Sequence, residues 1–154
     1  MYIDHRYTKN KRFLGAHMRR GNYVEESRQE YGYIPASKDY LHHAISYFEA
    51  KFNPERNRCL FFLILGNDYT WNLANSPRQS NIAVFLPNLT VPAIDLCLLA
   101  SCDHVIMSTG TFSWWAGFLS GGHVTYQKEF ARPHSELANM TNAKDFYLPF
   151  WVPL

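Results

Sequence analysis

A chain of 154 residues has the length of one ordinary domain, since domains run roughly 100 to 200 residues, and a second full domain is not expected. Hydrophobic residues at 47% supply a continuous core, and charged residues at 18% are too few for a disordered chain. With 15 Lys+Arg against 13 Asp+Glu the formal net charge is +2, which excludes the strongly basic surface of a nucleic-acid binder and leaves any phosphate to a local site.

Apolar runs such as 59–65 and 96–100 fall far short of the about 20 residues that cross a bilayer, so no membrane span is expected. The polar, tyrosine-rich start, 1–12, does not look like a signal peptide. Cys59, Cys97 and Cys102 are an odd set without metal-ligand spacing, which favours free thiols, and no metal is implied. Asn88 and Asn139 open N-x-T sequons and are glycosylation candidates in a secretory setting.

Along the chain, 12–18 reads as a buried strand that runs into the charged turn Arg19-Arg20-Gly21-Asn22. Residues 23–34 have no clear period and read as a surface loop. Tyr40, Leu41, Ala44, Ile45, Phe48 and Phe52 recur at helical spacing after Ser37, a suitable N-cap, which predicts an amphipathic helix over 37–52. The unbroken apolar run 59–65 predicts a strand covered on both faces, closed by Gly66-Asn67-Asp68. A strand at 82–86, a helix at 93–101, a strand at 105–107, a helix at 112–119 ending at Gly121-Gly122, and a strand at 124–126 follow. Trp114, Trp115, Phe118 and Leu119 have the spacing of a buried helix face. This alternation predicts an α/β fold, a Rossmann-like parallel sheet with helices on both faces, whose ligands sit beyond the carboxyl ends of the strands.

Two loops at such ends carry phosphate chemistry. His17, Arg19 and Arg20 offer an imidazole and two guanidiniums, whose planar forks match phosphate oxygens, to a shared crevice; pairing with surface carboxylates is the other reading of the arginines. Ser108-Thr109-Gly110-Thr111-Phe112-Ser113 places hydroxyls, a glycine and free backbone N–H groups at a helix start, where an anion fits; a simple helix cap explains the same residues. Asp95 stands near the start of a helix, either stabilised by its dipole or accepting from the N–H edge of a guanine. No G-x-G-x-x-G follows the first strand, which argues against a nicotinamide dehydrogenase.

The stretch Gly15-Ala16-His17-Met18-Arg19-Arg20-Gly21-Asn22-Tyr23 resembles the G-V-H-V-R-R-G-D-Y signature of the alpha-1,2-fucosyltransferases, family 11 of the inverting glycosyltransferases. Residues 103–117 resemble their second block and 146–151 their closing one. The resemblance implies the donor-binding later half of a GT-B enzyme, without the earlier half and the membrane anchor. Such an enzyme transfers L-fucose with inversion from GDP-fucose to the 2-hydroxyl of a galactose-terminated glycan, on the lumenal side of the Golgi membrane and with no cofactor or metal. It further implies donor contacts at His17, Arg19, Asp95, Gly110, Thr111, Phe112 and Ser113, and charge stabilisation by Arg19 and Arg20. The base is unassigned, with Glu25 and Glu26 as the nearby carboxylates. Two positions depart from the signature: Met18 replaces a small branched residue, and Asn22 replaces an aspartate. An amide cannot take a proton at neutral pH, so a module that binds a GDP-sugar without catalysis is the alternative.

Overall fold

The computed structural model describes residues 12–55, 60–78, 82–86 and 91–154. Its strands are β1 (Arg12–Met18), β2 (Leu60–Gly66), β3 (Ile82–Phe85), β4 (His104–Met107), β5 (Val124–Tyr126) and β6 (Val152–Pro153). They form one sheet in the order β3-β2-β1-β4-β5-β6, with every neighbouring pair parallel. The order runs outward from β1 in one direction and starts again on its other side at β4, as in doubly wound nucleotide-binding sheets. A crevice therefore opens where β1 and β4 part, just beyond the paired residues His17 and Met107.

The period of two along β1 sorts its side chains between two layers. Leu14, Ala16 and Met18 point to one face and pack with Tyr40, Leu41, Ala44, Ile45 and Phe48 of α2 (Lys38–Phe52). Gly15 points to the other, where a Cβ would come within 2.9 Å of Leu99 in α4 (Pro92–Ala100), so the glycine lets that helix lie against the strand. On this second face Leu63 and Leu65 of β2 meet Leu96, Leu99 and Ala116. Ala116 belongs to α5 (Thr111–Ser120), which ends at Gly121 in the left-handed conformation (φ 66°). Helices thus cover both faces, as the alternation predicts.

Ser37 caps α2, its hydroxyl accepting from the Tyr40 N–H at 3.0 Å. Ser37→Ala leaves that donor unpaired and is expected to cost about 1 kcal/mol, read as a lower urea midpoint at unchanged slope.

Two expectations are corrected. The segment 23–34 is not a loop: a 3-10 turn (Gly21–Val24) leads into α1 (Glu26–Tyr31). The apolar period is missing because α1 buries none of its residues. Gly32 closes it at φ 124°, its N–H bonding the Arg28 and Gln29 carbonyls. The aromatic face of α5 is not core: Trp115, Phe118 and Leu119 are each about half exposed, at 50%, 49% and 54%. Ser113, Ala116 and Gly117 face inward instead, and small residues bring the helix close enough for a Cβ on Gly117 to lie 3.1 Å from Val124. Trp114 alone of the set is tied in, through its indole N–H to the Phe146 carbonyl at 2.7 Å. The sequence reading also lacked α3 (Tyr69–Asn75), α6 (Glu136–Met140), α7 (Ala143–Phe146) and β6.

Candidate functional site

A cavity of about 610 Å³ lies over the carboxyl ends of β1, β2 and β4. His17, Arg19 and Tyr23 line it from the β1 end, Gly66, Asn67 and Tyr69 from the β2 end, Pro92 and Asp95 from the start of α4, and Thr109 to Phe112 from the turn into α5.

His17 is the last residue of β1 on the face that Gly15 shares, and it is almost wholly buried. Its Nδ1 lies 2.5 Å from the Ser113 hydroxyl, which in turn reaches the Thr109 carbonyl at 3.2 Å. The ring also leans on Phe112, with centroids 4.8 Å apart. Burial, with the Arg19 charge adding to it, pulls its pKa down to about 4, so the imidazole is neutral at physiological pH.

Arg19 is held at three points by neutral groups. Its backbone N–H donates to the Ser108 hydroxyl at 2.7 Å, which ties the β1 turn to the β4 turn. Its guanidinium donates from Nη2 to Asn22 Oδ1 at 2.8 Å and lies over the Tyr23 ring, 5.0 Å from the centroid. Burial, then the neighbouring Tyr33, push the Tyr23 phenol above its ordinary range against the pull of Arg19.

The turn after β4 has the form of an anion cradle. Gly110 adopts φ 90° and ψ 160°, a region essentially closed to other residues, and lets the chain enter α5 with its first N–H groups unpaired. Thr109 is 2% exposed, and its hydroxyl has no hydrogen-bond partner. At another part of the wall, Asp95 Oδ1 is buried without a partner, and burial raises that carboxyl's pKa. A buried, unpaired carboxylate oxygen asks for a donor from a ligand.

Of the residues singled out in the sequence, His17, Arg19, Asp95, Gly110, Thr111 and Phe112 come together in this cavity. Ser113 does not line it; it is fully buried and serves His17 from behind. Arg20 turns away from the shared crevice expected for it. Its Nη1 donates to the Ala36 carbonyl, its Nε lies 3.6 Å from Asp68, and its guanidinium stacks 4.4 Å over Trp71. Arg20 lies beyond the end of β1, with φ −126° and ψ −81°, and Asp68 and Trp71 of the β2–α3 segment hold it. Glu25 and Glu26 are exposed at the start of α1, outside the cavity. Asn139 is exposed on α6, and Asn88 lies outside the described residues.

Thr109, part of the anion-binding stretch expected from the sequence, lines the cavity too, whereas Tyr23, Gly66, Asn67, Tyr69 and Pro92 line it without having been assigned to it. Asn67 and Tyr69 had a usable signal: they follow a strand directly, and ligands collect at strand ends. Among the described residues no group of three or more His, Cys, Asp or Glu side chains is gathered as a metal site. No helix among them is long and apolar enough to cross a membrane.

Residues 3–154 match the profile of Glycosyl transferase family 11. The chain belongs to that family. Similar proteins are the galactoside alpha-(1,2)-fucosyltransferase 1 of Oryctolagus cuniculus (32% identical over 142 residues) and that of Rattus norvegicus (33%), each alignment covering 91% of this chain. The galactoside alpha-(1,2)-fucosyltransferase 2 of Oryctolagus cuniculus is 32% identical over the same share. The chain spans 36 to 39% of the length of these three family 11 relatives. Among solved structures, the beta Kdo 2,4 transferase KpsC of Thermosulfurimonas dismutans aligns at a TM-score of 0.46 and 13% identity, over 96% of this chain and 48% of that one.

Proposed function

We propose that this chain forms the donor site of a galactoside alpha-1,2-fucosyltransferase and holds GDP-fucose in the cavity above β1, β2 and β4. The observation that carries the reading is the pairing of opposite recognition chemistries within one cavity. Asp95, with a buried, unpaired carboxylate oxygen, lines the same cavity as Arg19 and the N-terminal turn of α5. A guanine offers two N–H donors to a carboxylate, and a diphosphate suits a guanidinium with free backbone N–H groups. Tyr69 and Pro92, which line the cavity with Asp95, supply apolar surface for a planar base. The names of the relatives supply the galactoside acceptor and the 1,2 linkage.

In this proposal Arg19 and the α5 turn stabilise the charge that develops on the departing GDP as fucose transfers with inversion. Neutral His17 contributes an acceptor rather than a second cation. Glu25 and Glu26 stand outside the cavity, and no base is assigned to either. The acceptor's surroundings, a Golgi location and the membrane attachment implied by the resemblance belong to the whole protein and stay part of the proposal.

Calorimetry with GDP and ADP tests the base assignment. GDP is expected to bind about tenfold to a hundredfold more tightly, the scale of a charge-assisted hydrogen bond that adenine's edge cannot make. Asp95→Ala is expected to abolish the difference. Equal affinities for the two nucleotides would remove Asp95 from base recognition.

A further inference from the structure

Arg19 is a half-buried cation on the cavity wall, and among the described residues no carboxylate lies within ion-pair distance of it. Its partners are the Asn22 amide oxygen at 2.8 Å and the face of Tyr23 at 5.0 Å. Both orient a guanidinium without neutralising it. The neighbouring cation, Arg20, does have a carboxylate, Asp68, at 3.6 Å. The two arginines of one dipeptide are thus treated differently: one is compensated within the fold, the other is left with its charge facing the cavity.

We infer that Asn22 is a positioning residue that fixes the Arg19 guanidinium in the cavity while leaving its full charge available to an anionic ligand. The inference rests on the diphosphate reading of this site. It turns the departure at Asn22 from a lost carboxylate into a feature that favours anion retention. An aspartate here would accept the same hydrogen bond from Nη2 but would form an ion pair with Arg19, and an incoming diphosphate would then compete with it. An alanine would leave the charge in place and release the side chain. Charge competition weakens with added salt, because the screening length falls to about 3 Å at 1 M; loss of orientation does not.

The test is calorimetry with inorganic pyrophosphate on the full chain and its Asn22→Asp and Asn22→Ala variants, at about 0.05 M and about 1 M salt. Thermal melts confirm that each is folded. Asn22→Asp is expected to bind about tenfold more weakly at low salt, with the deficit shrinking to about twofold at high salt. Asn22→Ala is expected to lose a few-fold at both. An aspartate variant that matches the parent at low salt, or a deficit independent of salt, overturns the inference and leaves the anion site standing. An alanine variant with parental affinity overturns the positioning role even if the aspartate variant fails to fold. A parent chain that does not bind pyrophosphate takes down the anion site and the inference together.

Discussion

Arg19→Ala is expected to weaken GDP binding by about thirtyfold to a hundredfold while moving the melting temperature little. The ligand term is large because the variant removes a two-pronged, charge-assisted grip, worth about 2 to 3 kcal/mol. The stability term is small because a half-exposed guanidinium bonded to an amide and stacked on a tyrosine is worth about 1 kcal/mol or less. Arg19→Lys is expected to lose about tenfold, since a point charge on a flexible stem cannot bond Asn22 and two phosphate oxygens in one plane. Arg20→Ala supplies the contrast. Its links to Ala36, Asp68 and Trp71 join the β1 turn to α3, so stability falls and nucleotide affinity changes far less. Wild-type GDP affinity in a folded Arg19→Ala variant would place the diphosphate elsewhere.

Those two arginines also show where a sequence stops being legible. That both stand at the end of a buried strand follows from the apolar run before them, and so does the rule that ligands gather there. Which one turns toward the crevice depends on Asp68 and Trp71, some 50 residues on, and nothing local encodes that encounter. The regular elements were readable because burial marks the sequence: apolar runs at 12–18 and 59–65 for strands covered on both faces, and a period close to four for Leu41, Ile45 and Phe48 of α2. The helix α1 was not, because it buries nothing and so leaves no stripe. In α5 the same rule misled. Large aromatics at helical spacing suggest a core, but Ala116 and Gly117 form the contact face, and small residues carry little weight in a hydrophobic pattern. Tyr23 is invisible as a site residue for a related reason, since a tyrosine in a turn has no spacing that separates lining a cavity from covering a surface.

Acidification from pH 7 to pH 4 is expected to destabilise the fold by on the order of 5 kcal/mol through two histidines, a large part of the 5 to 15 kcal/mol typical of a domain. His17 and His104 both have pKa values drawn down from 6.5 to about 4, chiefly by burial. The structure shows why each resists a proton. His104 Nδ1 accepts from the His123 backbone N–H at 3.1 Å, so its own hydrogen sits on Nε2, which is buried without a partner, and the ring stacks on Phe52 at 4.2 Å. A second proton would have to enter at Nδ1, where another N–H already points. His17 would gain its charge beside Arg19 in a buried site. The unfolded chain has neither obstacle and takes up protons below its ordinary value of about 6.5, whereas the native state does so only near 4. Between those values the unfolded state binds more protons, so stability falls as the pH falls and is fully present above 6.5. Each group contributes about 2 to 3 kcal/mol over that window. Urea unfolding of the parent, His104→Gln and His17→Gln at pH 7, 5.5 and 4 separates them. Each variant is expected to be less stable than the parent at pH 7, through lost packing, but to lose less on acidification. Parallel pH profiles for parent and variants would show that acid acts through the carboxylates instead, and that neither buried imidazole governs the transition.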